Sequence, residues 1–157
     1  MKTHWLKLTA VALILTGTLS SCGEGYIDMS NVDFNNIPNL YEQPLPVIQK
    51  AVQGKWEWRY SRGGSIENII YNNTFVDISK DHVTVYYEDG SQRSFDIVWK
   101  REGNTSSIWD KEGNQQLWCF LSIMNDILVA SSNSYSSITR GNDIVSKVTL
   151  HRFVRVK

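Results

Sequence analysis

The chain has 157 residues with 16 basic and 16 acidic side chains, and this balance excludes the basic footprint that nucleic-acid binding requires. Its length suits one domain of ordinary size, and six tryptophans, seven tyrosines and five phenylalanines provide material for its core. Only two cysteines are present, so no disulfide framework is available to a domain that gives one of them to another task.

That other task is visible at the start of the chain. Lys2 and Lys7 form a basic region, residues 8–19 form an apolar run, and Leu19-Ser20-Ser21-Cys22 closes it. This is the pattern of a bacterial lipoprotein signal. The apolar run is shorter than the roughly 20 residues needed to cross a bilayer, which argues against a transmembrane span. The reading predicts removal of residues 1–21, lipidation of Cys22, and anchoring at the cell envelope, at the outer membrane and facing the periplasm or the surface. Cys119 is then unpaired. Between Trp118 and Phe120 it reads as a small buried apolar residue.

Residues 22–44 read as the lipidated N-terminus and a flexible tether, rich in Asn, Asp, Ser and Pro and without clear periodicity. The domain proper is expected over 45–157. Pro46 suits the first turn of a helix, Val47, Ile48, Ala51 and Val52 make a helical stripe, and Gly54 is placed to end it.

At Gly54 the period changes from helical to alternating. Trp56, Trp58 and Tyr60 are expected on one face and Lys55, Glu57 and Arg59 on the other, as in a half-buried strand. Further strands are predicted over 74–79, 82–88, 93–100, 106–110, 115–122, 126–131 and 145–156, with 66–71 left open. The connections carry the residues that tight turns demand, as in Asp89-Gly90, Glu102-Gly103-Asn104, Glu112-Gly113-Asn114 and Asn125-Asp126. Such short links leave no room for parallel crossovers. The predicted fold is therefore all-β, an antiparallel meander of roughly eight strands closed into a barrel behind a short N-terminal helix. Closure removes exposed edges, and an open two-sheet sandwich is the alternative.

Helix, Gly54-Lys55-Trp56 and a meander of hairpins together resemble the lipocalin-like domains of small bacterial lipoproteins over roughly 45–157. The resemblance implies that Trp56 plugs the closed end of the barrel and that a basic residue of the last strand packs across its ring. Arg152 is the matching candidate, with Leu150 and Val154 on its strand face. The family also binds small apolar molecules. Trp58, Tyr60, Phe95 and Trp99 are the candidate ligand-binding residues, at a mouth framed by 61–65 and 132–142. The same side chains read equally as barrel filling, because eight strands enclose only just enough space for their own side chains. In that second reading the domain is an interaction module that engages an envelope protein or glycan. No catalytic motif occurs, His82 and His151 are the only histidines beyond the signal, and the acidic residues are scattered. Neither an enzyme nor a cofactor or metal is expected.

Overall fold

A computed structural model describes residues 27–63, 66–134 and 147–157. In chain order the elements are β1 (Asn36–Ile37), α1 (Leu45–Val52), β2 (Gly54–Gly63), β3 (Ile66–Ile70), β4 (Phe75–Ile78), β5 (His82–Tyr86), β6 (Gln92–Glu102), β7 (Thr105–Asp110), β8 (Gln116–Met124), β9 (Ile127–Ser134) and β10 (Lys147–Arg155). Around the wall the order is β2, β4, β5, β6, β7, β8, β9 and β10, and the β10–β2 ladder completes the ring. Every pairing is antiparallel. The eight-stranded closed barrel is thus the architecture, and the sandwich alternative is excluded. The open expectation over 66–71 resolves as β3, which pairs with the far half of β2 while β4 pairs with the near half.

The helix starts slightly earlier than its apolar stripe implies, with Pro46 in its first turn, where no backbone N–H is needed. Gly54 then takes φ +112°, a left-handed conformation that turns the chain from α1 directly into β2.

The tether reading is corrected for residues 27–44. Ile27, Met29, Val32 and Phe34 pack on the core, Ile37 and Leu40 are buried within it, and β1 adds to β8 through Asn36↔Met124 and Ile37↔Ile123. Aspartate-based turns hold this segment: Asp28 accepts from the Ser30 N–H at 2.9 Å and Asp33 from the Asn35 N–H at 3.0 Å. Turns of this kind produce no periodic pattern, which is why the segment resembles a linker in sequence. Residues 1–26, including Cys22 and the signal, lie outside the described residues.

One irregularity sets which side chains face the lumen. Tyr60 pairs with Arg152, but Trp58 pairs with Phe153, so Arg59 is an extra residue in β2. Trp56, Trp58 and then Ser61 point inward, while Tyr60 leaves the inner row. A single added residue reverses every later side chain on the strand.

Candidate functional site

The lower half of the barrel is solid. Trp56, Phe120, Ile123, Leu128 and Phe153 are fully buried there, and Val47, Ile48, Ala51 and Val52 of α1 complete the floor. The Trp56 indole donates to the Val52 carbonyl at 2.7 Å. The guanidinium that covers its ring belongs to Arg155, with Cζ 4.2 Å from the centroid. Arg155 Nη2 also donates to the Ala51 carbonyl at 2.9 Å, and Asp126 lies 3.7 Å from its Nε. The last carbonyls of α1, which the helix cannot satisfy itself, are taken by the two side chains that close the barrel. Burial pushes the Arg155 pKa down, and the Asp126 charge opposes that shift.

Arg152 is therefore not the closing residue. Inward positions on β10 are Thr149, His151, Phe153 and Arg155, all in the alternate phase. Arg152 lies on the outer face, its guanidinium 5.8 Å from the Tyr60 ring. Tyr60 is corrected with it, because the bulge at Arg59 carries its side chain to the outside, opposite Arg152. Trp99 is corrected as well. It packs against Phe120 in the filled part of the barrel, ring centroids 5.9 Å apart and tilted by 37°, and donates to the Lys80 carbonyl at 2.9 Å, so it is not part of the cavity wall.

Above Trp58 the barrel opens into a cavity of about 340 Å³. Of the four candidate ligand residues, the structure brings Trp58 and Phe95 into its wall. Val83, Val85 and Tyr87 line one side, and Gln115 to Trp118 line another. Ser132, Thr149 and His151 complete it from β9 and β10. Of the mouth expected at 61–65 and 132–142, Ser132 lines the cavity and residues 61–63 do not, while residues 64–65 and 135–142 lie outside the described residues. An aromatic layer forms the cavity floor. The Trp58 ring lies 5.5 Å from Trp118 and 5.3 Å from Phe153, with Tyr71 stacked on it at 4.5 Å. Contacts of this kind are each worth about 0.5–1.5 kcal/mol beyond area burial.

Among the described residues a hydrogen-bonded chain of side chains runs beside the cavity, in addition to the polar lining residues Gln115, Gln116 and Thr149. Trp58 Nε1 donates to Ser61 Oγ at 3.1 Å, Ser61 Oγ lies 2.7 Å from His151 Nδ1, and Ser132 Oγ lies 2.7 Å from His151 Nε2. Ser61 is wholly buried and His151 nearly so. Burial lowers the His151 pKa to about 4, so the imidazole is neutral at physiological pH. Cys119 sits across the ladder from Ser107 and Ser131, and burial raises its thiol pKa, which disfavours the nucleophilic thiolate.

Sequence reasoning missed Tyr87, Trp118 and His151. Their signal was the strand phase: once Phe153 is taken as inward, Thr149 and His151 follow, and the same alternation on β8 links Trp118 to Phe120. No family model matches the chain, and neither a curated protein nor a solved structure matches it.

Proposed function

We propose that this chain is a lipocalin-like lipoprotein, anchored at the envelope through lipidated Cys22, whose barrel binds a small apolar or amphipathic molecule without chemical turnover. The observation that carries this reading is the cavity of about 340 Å³ above Trp58, of the size that small-molecule sites occupy and walled mostly by apolar side chains. Its room lies beside the small inward residues Ser132 and Thr149, which face the larger rings of Trp58, Tyr87, Phe95 and Trp118 across the cavity. Native mass spectrometry of protein taken from its own envelope is the test. A co-purified mass released on unfolding is expected. Bare protein whose tryptophan emission ignores every added apolar probe would refute the binding role. Anchoring is checked separately, since Cys22→Ala should move the protein from the membrane to the soluble fraction.

A second reading has its own support. β3 pairs with β2 alone among the described residues, and Ile70 on it is 74% exposed beside Ile69. An open apolar strand edge is a surface to which an envelope protein can add. A glycan contact through the loops belongs to the same class of interaction-module function. Loss of a co-purified protein on Ile70→Lys, with ligand binding intact, is the result that would favour it.

A further inference from the structure

The polar chain in the cavity wall has a direction, and that direction bears on what the cavity holds. An indole N–H can only donate, so Ser61 Oγ accepts from Trp58. Two proton placements remain for the bond between Ser61 and His151. If His151 Nδ1 donated, Ser61 would accept twice, and its own O–H would be stranded in a wholly buried position. If Ser61 donates to Nδ1, each of its atoms is satisfied. His151 then carries its proton on Nε2 and donates to Ser132 Oγ. The Ser132 O–H is left as a donor at the cavity surface, with no further partner among the described residues.

Charge complementarity narrows the choice further. Among the described residues, no lining side chain is an Asp, Glu, Lys or Arg. An ionised group brought into such a site loses hydration and gains no counter-ion from the described residues, which disfavours it. Arg93 is the nearest alternative anchor by register, since it pairs with inward-facing Val85. It is exposed, however, and lies outside the cavity wall. A neutral oxygen group meets the opposite situation, because the Ser132 hydroxyl offers it one directed hydrogen bond in a wall whose other polar side chains, Gln115, Gln116, Thr149 and His151, are also uncharged.

We propose that the cavity selects uncharged ligands bearing a hydroxyl or carbonyl oxygen, and that Ser132, oriented by the Trp58–Ser61–His151 chain, is the residue that holds that oxygen. This rests on the ligand-binding reading above, and the experiment separates the two. The full protein is titrated near neutral pH with 1-decanol, decanoate and decylammonium, followed by tryptophan fluorescence and calorimetry. Decanol is expected to bind more than about ten-fold tighter than either ion. Ser132→Ala is expected to weaken decanol about three- to ten-fold and to leave the circular dichroism spectrum unchanged. Binding of decanoate or decylammonium as tight as that of decanol overturns the selectivity while the binding role survives. Decanol affinity indifferent to Ser132→Ala but lost on Arg93→Ala, or indifferent to both, overturns the anchor. If none of the three enters, the binding role fails and this inference fails with it.

Discussion

The two ends of the barrel are built from the same eight strands, yet one is solid and the other hollow. At the floor, inward positions carry Trp56, Phe120, Leu128 and Phe153, all wholly buried. One storey higher Ser132 and Thr149 are small, and the cavity lies between them and the rings of Trp58, Trp118 and Phe95. A ring of this strand number has almost no spare room. Whether it encloses a ligand is therefore decided by side-chain size at a few inward positions, not by topology. Polar groups divide in the same way. At the floor they tie a helix end to the wall, while near the mouth the Ser132 hydroxyl faces the cavity.

The floor should be the costlier place to damage. Trp56→Ala removes a fully buried indole and its bond to Val52, and is expected to lower unfolding free energy by about 3–5 kcal/mol in a denaturant titration. A loss below about 1 kcal/mol would contradict the solid floor. Phe95→Ala near the mouth is the control for the comparison. Its ring is 37% exposed, and its loss should change stability far less.

Acid should act on the upper half next. His151 is neutral when folded, with its pKa lowered from 6.5 to about 4 by burial. The unfolded chain therefore takes up a proton first as pH falls. The His151 contribution to stability is fully present above pH 6.5 and is lost progressively as pH drops to about 4. The size of that loss is on the order of 3 kcal/mol. A melting series from pH 7.5 to 4 should show it, and His151→Gln should flatten the slope. An unaltered slope in the variant would place the acid sensitivity elsewhere.

The two arginines of β10 sharpen the comparison, because three positions separate a floor residue from an outer-face one. Arg155→Met removes a cation–π contact and bonds to carbonyls of α1, at an expected loss of about 2 kcal/mol. Arg152→Met should stay within about 0.5 kcal/mol, as substitutions on an outer face away from the core usually do. Equal effects would mean that the closing guanidinium has been misassigned.

Those arginines also show how far the sequence could be read. Alternation at Trp56 and Trp58, the Gly-Asn and Asp-Gly turns, and the helix before Gly54 identified the barrel. The plug at Trp56 and a basic residue over its ring were expected only from the lipocalin-like resemblance, which did not tell which arginine it is. Arg152 and Arg155 lie on opposite faces of one strand, and only the phase set by Phe153 tells them apart. Tyr60 was lost for a related reason, since nothing in Trp58-Arg59-Tyr60 announces that Arg59 bulges. Trp99 does lie in a row with Ile97, but β6 bends from β5 to β7 along that row, so its far end faces Phe120 instead of the cavity. The docked segment at 27–44 was opaque because its apolar residues are spaced by turns, and turns have no period.

The smallest expected effects test the cavity wall itself. Phe95 and Tyr60 were equivalent candidates by composition, and the structure places only Phe95 against the cavity. Removing its ring takes apolar contact from the ligand, worth about 1–1.5 kcal/mol for a partly exposed side chain, or close to ten-fold in affinity. Tyr60→Ala removes an outer-face ring beside Arg152 and should leave the affinity of an apolar probe unchanged. Both titrations can follow tryptophan emission, because Trp58 and Trp118 form the cavity floor and neither variant removes an indole. A Tyr60 effect as large as that of Phe95 would return Tyr60 to the inner row. The bulge at Arg59 would then be wrong, along with the phase of β2 beyond it, the placement of Ser61 beside His151, and the hydroxyl that chain presents to a ligand.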